Sequence, residues 1–248
     1  MKTARAPNRV SLTRAMSKLG YCSRSEALQW IVAGRILVND KVEKNPHRWI
    51  DLSTDIVSVQ GKRIYRAAFR YVLLHKPPGF VTTRSDERGK TTVYQLLPGE
   101  FSSLDPVGRL DKDSSGLLLF TNNNLLADTL TSPSFHVKKV YRTVLDKPLN
   151  NSDKRELEAG VEITDEGRIY RTRPAIVHEL GNTTVEISIS EGKNRQVRKM
   201  FAALGYDVKD LSRVAFGPLV IGSLKSGEYR DLTKEELASL PTRARKSI

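Results

Sequence analysis

The feature that most constrains the fold is an apolar run that directly follows a polar loop. The run 117–120 reads Leu-Leu-Leu-Phe, and the loop before it is bracketed by Gly108 and Gly116. A short, continuous apolar run next to turn residues is typical of a strand buried inside a sheet. The sequence therefore predicts a buried strand after a tight polar loop, in a domain large enough to cover it.

From residue 71 onward, strand patterns predominate and helical patterns lie between them. The predicted strands are 71–74, 117–121, 141–145 and 185–189, and the predicted helices are 125–131, 154–159 and 195–204. Apolar runs with period two indicate the strands, and a period near 3.6 indicates the helices. Together they predict an α+β body, with a mixed, largely antiparallel sheet flanked by helices.

The chain before this body has a different pattern. Leu12, Met16 and Leu19 share one helical face, and Gly20 stops that helix. Ser23-Arg24-Ser25-Glu26 resembles a capping box that starts a second helix, which ends at Gly34. A hairpin turning at Asn39-Asp40 and a strand at 55–59 follow. The N-terminal part is therefore predicted to be a small helix–helix–hairpin domain.

The positive charge is concentrated in this N-terminal part. Residues 1–70 contain 14 Lys or Arg against 5 Asp or Glu, a net of +9 within a total of +13. Such an excess favours a polyanionic partner, either nucleic acid or an anionic membrane surface. No apolar run approaches the ~20 residues that span a bilayer, so nucleic acid is favoured and no membrane partner is expected.

Other site chemistries find little support in the sequence. One cysteine, Cys22, cannot form an internal disulfide, and four scattered histidines show no metal-ligand spacing. The N-terminus has basic residues but no apolar core after them, which argues against a secretory signal. We expect a cytoplasmic protein that needs no metal or other cofactor.

The segment from Ser23 to Val42 resembles a small RNA-binding domain shared by a small-subunit ribosomal protein and tyrosyl-tRNA synthetases. The resemblance implies a phosphate-contacting face. The cations available for it are Arg14, Lys18, Arg24, Arg35 and Lys41. The alternative is that these are ordinary solvated charges, and the one-sided +9 favours RNA.

The loop before the buried strand carries two acids, Asp111 and Asp113. A carboxylate held by a rigid strand is a reasonable catalytic placement. Asp is also common in turns, where it caps nearby backbone groups. The residues alone leave both interpretations open.

The loop sequence Gly108-Arg109-Leu110-Asp111, followed by Ser115-Gly116-Leu117, resembles the catalytic motif of pseudouridine synthases. The resemblance makes Asp111 the catalytic acid and Arg109 a contact to RNA as the target base leaves its helix. Asp113 is the second acid of a common variant and is given no role.

Two further segments agree with that family. His75-Lys76-Pro77-Pro78-Gly79 resembles its first loop, where His75 is a mild departure and is expected to be structural. Lys138-Lys139-Val140-Tyr141 resembles its second motif, which places Tyr141 against the target base. Without the resemblance, Tyr141 would be taken as a half-buried strand aromatic.

The segment 191–205 resembles the third motif. Its helix begins among four cations, and because cations oppose the dipole at a helix start, we expect an anion to compensate them. The resemblance implies that Arg198 pairs with the catalytic acid, with Lys193 as the rival, and that Val197 forms an apolar wall. Arg195 and, in the C-terminal signature, Arg213 are expected to bind substrate.

Together the motifs predict an S4-like domain at 9–62, a linker at 63–70, a catalytic domain at 71–240 and a basic tail at 241–248. The resemblance implies isomerisation of a specific uridine in ribosomal RNA, free or in an assembly particle, without an obligate protein partner. A carboxylate near C1′ could attack C1′ or remove a proton from C2′. The alternative function is a non-catalytic RNA-binding factor for ribosome assembly.

Overall fold

The computed structural model describes residues 9–19, 21–22, 24–65, 68–84 and 89–241. Its contacts divide the chain into two compact units. The first unit runs to Arg70 and also includes Glu100–Asp105 and Asn122–Asn124, and the second contains the rest of the chain from Tyr71 onward. The predicted domain boundaries, the linker and the basic tail stay predictions, since 66–67 and 242–248 lie outside the described residues.

The N-terminal elements follow the predicted helix–helix–hairpin order. They are β1 Arg9–Ser11, α1 Leu12–Lys18, α2 Arg24–Val32, β2 Ile36–Val38, β3 Lys41–Val42, β4 Trp49–Asp51, β5 Val57–Val59 and β6 Lys62–Arg63. β1 pairs with β4, and a second antiparallel sheet has the order β3-β2-β5-β6. Gly20 and Ser23, on which the predicted helix stop and capping box rest, lie outside the described residues.

The two helices of this unit bury the apolar faces that their periodicity indicates. Leu12 and Met16 of α1 and Ala27 and Ile31 of α2 are fully buried and join the strand residues in one core. The hairpin between β2 and β3 turns at Asn39-Asp40, and both residues have positive φ. Asn and Asp tolerate that left-handed backbone better than other side chains, which is why they form this turn.

Most of the elements from Tyr71 onward belong to the second, larger unit. The strands are β7 Tyr71–Lys76, β8 Asp105–Pro106, β9 Ser115–Thr121, β10 Lys139–Leu145, β11 Glu162–Asp165, β12 Arg168–Arg171, β13 Ile176–Glu179, β14 Thr184–Ile189, β15 Val208–Phe216, β16 Leu219–Val220 and β17 Tyr229–Asp231. The helices are α3 Asn124–Thr131, α4 Asn151–Ala159, α5 Gln196–Ala203 and α6 Lys234–Ser239, with short 3-10 turns at Val93–Leu96, Gly99–Ser103 and Pro133–Phe135.

A single mixed sheet organises this part. Among the described strands its order is β13-β14-β10-β15-β9-β7-β17, and β11 and β12 form a separate hairpin. Along that order the pairing is antiparallel, except that β15 runs parallel to β9. The prediction of an α+β fold with a mixed, largely antiparallel sheet is confirmed.

The strand β9 is buried on both faces, as its apolar run predicts. Leu117 and Leu119 pack into a core with Leu126 and Leu130 of α3, and the alternate residues of β9 are equally buried. At the start of β9, Gly116 has a φ of +107° and faces the β15 backbone. A Cβ at Gly116 would lie 2.3 Å from the carbonyl oxygen of Arg213, so only glycine allows β15 to approach β9 this closely.

Candidate active site

The loop that carries Asp111 is fixed at Leu110. The buried hydroxyl of Thr82 donates to the Leu110 carbonyl at 2.8 Å and accepts from its backbone N–H at 3.3 Å. The backbone N–H of Ser114 then donates to the Asp111 carbonyl at 3.2 Å, which closes a turn around the acid. The position of Asp111 is therefore set by hydrogen bonds on both sides of it.

Lys76 supports the same loop from beneath. Its side chain is fully buried, and Nζ donates to the carbonyl oxygens of Asp111 at 3.0 Å and Ser114 at 2.6 Å. It also donates to the carbonyls of Pro77 at 3.1 Å and Lys112 at 3.4 Å. Burial lowers the pKa of Lys76 to about 8, and the negative charges of Asp111 and Asp113 partly offset that effect. Lys76 therefore organises the loop through its carbonyls.

His75, beside Lys76, has the structural place expected of it. Its Nδ1 lies 2.7 Å from the carbonyl oxygen of Leu224, and its backbone pairs with Gly227 and Glu228 at the sheet edge. His75 is not among the residues that line the cavity described next.

Asp111 opens onto a cavity of about 850 Å³ inside the second unit. Most of the residues singled out from the sequence line it. They are Arg109, Asp111, Tyr141, Lys193, Arg195, Val197 and Arg213. Residues from the Asp111 loop, β10, the start of α5 and β15 thus meet at one cavity, which is large enough for a nucleotide base.

The cavity wall combines an aromatic and an apolar surface. Tyr141 is half-buried on β10, where its backbone pairs with Ile187 of β14 and Arg213 of β15. Val197, in the first turn of α5, is only 3% exposed and belongs to the adjoining core. Arg109, by contrast, is exposed at the rim. The predicted wall residues therefore share the cavity with the acid.

The predicted ion pair between Arg198 and Asp111 is not formed. Arg198 instead directs Nε to Asp113 Oδ2 at 3.4 Å and donates from Nη2 to the Asp113 carbonyl at 3.1 Å and from Nη1 to the Val208 carbonyl at 2.8 Å. Arg198 is also absent from the cavity lining. Its guanidinium is drawn to Asp113 because that acid presents both a carboxylate and a carbonyl to it.

Asp113 also holds Arg195, through two hydrogen bonds. Arg195 Nη1 and Nη2 donate to the two carboxylate oxygens at 2.9 and 2.8 Å, the bidentate geometry that a planar guanidinium favours. These hydrogen bonds from Arg195 hold the pKa of the Asp113 carboxyl below its usual value. Sequence reasoning gave Asp113 no role, although the four cations at the helix start had indicated that a compensating anion exists.

The rival partner, Lys193, is not paired with Asp111 either. Its Nζ lies 3.3 Å from Asp165 Oδ2 and 4.6 Å from the centre of the Tyr170 ring, and Lys199 binds the other oxygen of Asp165 at 3.3 Å. Asp113 and Asp165 are thus the anions that compensate the start of α5. Within the described residues, no donor hydrogen-bonds to the Asp111 carboxylate, which is left available to a ligand.

Sequence reasoning missed a second acid at the cavity, Glu191. Its side chain is buried and accepts from Tyr170 Oη at 2.5 Å, from the backbone N–H of Arg173 at 3.0 Å and from Gln196 Nε2 at 2.5 Å. The hydrogen bond to Glu191 raises the pKa of Tyr170. No local pattern identifies this network, because its members come from β12, the residues after it and α5.

The cations singled out in the first unit lie on its surface. Arg14, Lys18, Arg24, Arg35 and Lys41 are all exposed. Arg14 and Lys18 are four residues apart on α1 and therefore lie on the same side of that helix. These positions are compatible with a phosphate-contacting face, and that role stays a prediction.

The residues that the structure describes form neither a metal-binding cluster nor a membrane-spanning helix. No group of three or more His, Cys, Asp or Glu is placed to hold a metal ion within that part of the chain. Nor does any helix there have the length and apolar character needed to cross a membrane.

A mixed sheet with an acid-bearing loop beside a cavity, joined to a small basic domain, defines an enzyme of the kind that the motifs resemble. The family model described as RNA pseudouridylate synthase matches residues 70–203, and the S4 domain model matches residues 12–56. The chain belongs to the RNA pseudouridine synthase family, whose members are isomerases. It also carries an N-terminal S4 domain.

Individual relatives agree along nearly the whole chain. The chain is 38% identical to the uncharacterised RNA pseudouridine synthase YtzG of Bacillus subtilis (strain 168), over 91% of this chain and 96% of that protein. It is 36% identical to the ribosomal small subunit pseudouridine synthase A of Vibrio cholerae, over 88% and 94%. A crystal structure of a pseudouridylate synthase superposes with a TM-score of 0.69 at 31% identity, over 94% of this chain and all of that one.

Proposed function

We propose that this protein isomerises a uridine of ribosomal RNA to pseudouridine, with Asp111 as the catalytic acid. The Vibrio cholerae relative supports ribosomal RNA as the substrate class, since its name specifies the small ribosomal subunit. The basic N-terminal domain supports the same choice, because an S4 domain with a net of +9 in residues 1–70 suits a phosphate backbone.

The observation that carries the proposal is that the Asp111 carboxylate is left without a hydrogen-bond donor among the described residues. This carboxylate lines the cavity and accepts no hydrogen bond from the described residues, whereas Asp113, two positions later, is held by two arginines. A carboxylate that only shaped its loop would be expected to accept bonds from nearby backbone N–H groups. Asp111 instead holds its loop through its backbone carbonyl, and its carboxylate remains available to bind substrate.

The chemistry requires that carboxylate near C1′ of the target nucleotide. It attacks C1′ as a nucleophile or removes a proton from C2′, and in either route the N1–C1′ bond breaks. The uracil then turns within the cavity, and C5 bonds to C1′. No redox change occurs, so the reaction calls for no redox cofactor.

The target nucleotide has to leave its RNA helix before the acid can reach it. Flipping a base out costs on the order of a few kcal/mol, offset by stacking and by contacts in the pocket. We assign stacking to Tyr141, apolar contact to Val197, and contacts to the displaced RNA backbone to Arg109, Arg195 and Lys193. The bidentate bond to Asp113 holds Arg195 in place at the cavity edge.

Arg198 has a supporting role in this proposal. It contacts Asp113 and the Val208 carbonyl, so it joins the Asp111 loop to the start of β15. The positive charge near Asp111 comes from Lys76 and Arg195, since both interact electrostatically with that acid.

The test is the substitution Asp111→Asn, with pseudouridine formed on ribosomal RNA and RNA affinity measured in parallel. Asn is nearly isosteric and leaves the carbonyl contacts to Lys76 and Ser114 intact, but it can serve neither as nucleophile nor as base. We expect normal folding, near-native affinity and no detectable pseudouridine. The matched control is Asp128→Asn, which changes an exposed acid on α3 outside the cavity lining and should keep full activity.

Two outcomes would count against the proposal. Near-normal turnover by the Asp111→Asn protein would remove the catalytic role and favour a non-catalytic RNA-binding factor in ribosome assembly. Pseudouridine formation confined to transfer RNA would preserve the enzyme and overturn the substrate class. Mapping pseudouridines in both ribosomal subunits, with and without the protein, identifies the target nucleotide.

A further inference from the structure

The cavity that contains Asp111 also contains a buried guanidinium with no counterion. Arg213 is 2% exposed, and its Nε donates to the Leu117 carbonyl at 2.9 Å. Its Nη2 is buried without a hydrogen-bond partner, and no carboxylate lies within 4 Å of the side chain, among the residues described. Arg213 nevertheless lines the cavity.

The backbone around Arg213 is closely packed. Arg213 lies on β15 opposite Gly116 of β9, and the absence of a side chain at Gly116 lets the two backbones meet. The hydrogen bond to the Leu117 carbonyl fixes the guanidinium from one side, and its carbon Cζ lies 5.0 Å from the centre of the Phe216 ring. The remaining N–H groups are thereby held in one orientation.

A second half-buried cation lies near Arg213, and the nearest acid of the cavity lining that acts on it is Glu191. Lys139 also lines the cavity, and its Nζ lies 5.6 Å from the Phe216 ring centre on which Arg213 also rests. Burial lowers the pKa of Lys139 to about 8, and the positive charge of Arg213 adds to this lowering. Ser114 Oγ is a second buried polar atom of the cavity lining that has no partner among the described residues.

A buried, unpaired charged donor is costly and normally has a partner. Arg213 lines the cavity that receives the substrate in the proposed function, so we infer that the missing partner is a ligand atom. The ligand must offer an acceptor that carries negative charge at the inner end of a base-sized cavity. The exposed Arg109 and Arg195 are better placed to bind the RNA phosphates. In the proposed function the RNA backbone stays outside the cavity, and only the base enters it.

We propose that Arg213 is a catalytic residue that donates a hydrogen bond to a carbonyl oxygen of the detached uracil and stabilises its negative charge. This inference rests on the proposed function. When the N1–C1′ bond breaks, its electron pair stays on the uracil, and the charge spreads over N1, O2 and O4. Asp111 meanwhile bonds to C1′ or takes the C2′ proton.

Arg213 keeps its own proton throughout this sequence. The new C5–C1′ bond forms with the electron pair that the uracil carried away, as the Asp111–C1′ bond breaks or, in the other route, as C2′ regains its proton. The proton on C5 then leaves to a base, and N1 takes up a proton. A preorganised donor in a buried site acts most strongly where charge develops, as in an oxyanion hole. Ser114 Oγ offers a further donor to the same anion.

The experiment compares uridine and 5-fluorouridine at the target position in single-turnover cleavage of the N1–C1′ bond. Fluorine withdraws electrons, so the fluorinated base is a better leaving group and depends less on external stabilisation. We expect Arg213→Gln to slow cleavage of uridine by roughly 10²- to 10³-fold, the usual effect of losing such a donor. The loss with 5-fluorouridine should be several-fold smaller, and Arg213→Lys should fall between wild type and Arg213→Gln.

Each comparison is a ratio of two substrates on one protein, so a partly unfolded variant does not distort it. The matched control is Arg173→Gln, an exposed arginine of the same cavity, for which the two substrates should lose equally. Equal losses for Arg213→Gln, or a loss confined to RNA affinity, would overturn the leaving-group role. A wild-type protein that forms no pseudouridine would instead defeat the proposed function.

Discussion

The two units of the molecule use their positive charges differently. In the S4 domain, Arg14, Arg24, Arg35 and Lys41 are exposed, and no carboxylate lies within 4 Å of them among the residues described. In the catalytic unit, Arg195 and Arg198 are tied to Asp113, Lys193 and Lys199 share Asp165, and Arg213 is buried. The cations named for the S4 domain are therefore solvated, whereas those named around the catalytic site are fixed.

This difference predicts a division of labour. An exposed cation with no protein partner can exchange its counterions for RNA phosphates, and that exchange contributes affinity and salt dependence. A cation fixed by a carboxylate has a defined direction and position, which contribute to turnover more than to affinity. Substitutions in the two units should therefore affect different measured quantities.

Among the acids and cations that this comparison contrasts, the largest effect is expected at the carboxylate of Asp113. Asp113→Asn keeps the carbonyl that binds Arg198 but weakens the bidentate bond to Arg195 and leaves both guanidiniums without their charge partner. We expect turnover to fall by roughly 10²-fold with RNA affinity changed little, because the loss is one of electrostatic positioning. Single-turnover rates and binding constants measured on the same RNA test this.

A double-mutant cycle sharpens that prediction. If Arg198 acts through Asp113, Arg198→Ala and Asp113→Asn together should cost little more than the more damaging of the two alone. Additive losses would show that Arg198 acts elsewhere, for example on Asp111 in the RNA complex. If these variants lost RNA affinity to the same extent as turnover, the proposed difference in role between the cations of the two units would be wrong.

An intermediate effect, on the free energy of unfolding, is expected from Lys76, the buried cation beneath the Asp111 loop. Its pKa in the folded protein is lowered to about 8 by burial, below the ordinary lysine value of 10.5. The folded state therefore releases this proton at lower pH than the unfolded state, so the contribution of Lys76 to stability rises between about pH 8 and 10.5. Below pH 8 both states hold the proton, and the contribution is constant.

The measurement is the free energy of unfolding of wild type and Lys76→Met, by urea titration at several pH values from 7 to 10. The difference, wild type minus variant, should grow as the pH rises. Lys234→Met, at an exposed position on α6, serves as the control for general alkaline effects and should run parallel to wild type. A difference that stays flat would show that burial does not lower the pKa of Lys76.

The sequence predicts the elements of this fold where a pattern is local and strong. The apolar run of β9 and the apolar stripe of α5 both lie where their periodicity indicates. Strand β15 was missed, since charged residues at Lys209, Asp210 and Arg213 interrupt its apolar pattern. A sequence pattern treats a charged residue as exposed, whereas Arg213 is buried in the sheet.

At the candidate site, motif resemblance predicted which residues meet but not how they pair. Asp111, Tyr141 and Val197 line one cavity, as expected from separate motifs. The pairing of Asp113 with Arg195 joins residues 82 positions apart, and which of two neighbouring acids an arginine reaches depends on the turn between them. Such a choice is set by ångström-scale geometry, which spacing along the chain does not encode.

The smallest effect on turnover is expected from the exposed cations of the S4 domain. Replacing Arg14, Arg24, Arg35 and Lys41 together by Gln removes four positive charges and no carboxylate contact. If all four meet phosphates of single-stranded RNA, the slope of log affinity against log salt should decrease in magnitude by up to about 3. Turnover on saturating RNA should stay near the wild-type value. Lys41→Arg, which keeps every charge of this domain at an exposed position, is the matched control. An unchanged salt slope would show that the S4 cations do not contact phosphates. A loss of turnover at saturating RNA would show that the domain also orients the target nucleotide, and the separation of binding from chemistry would then fail.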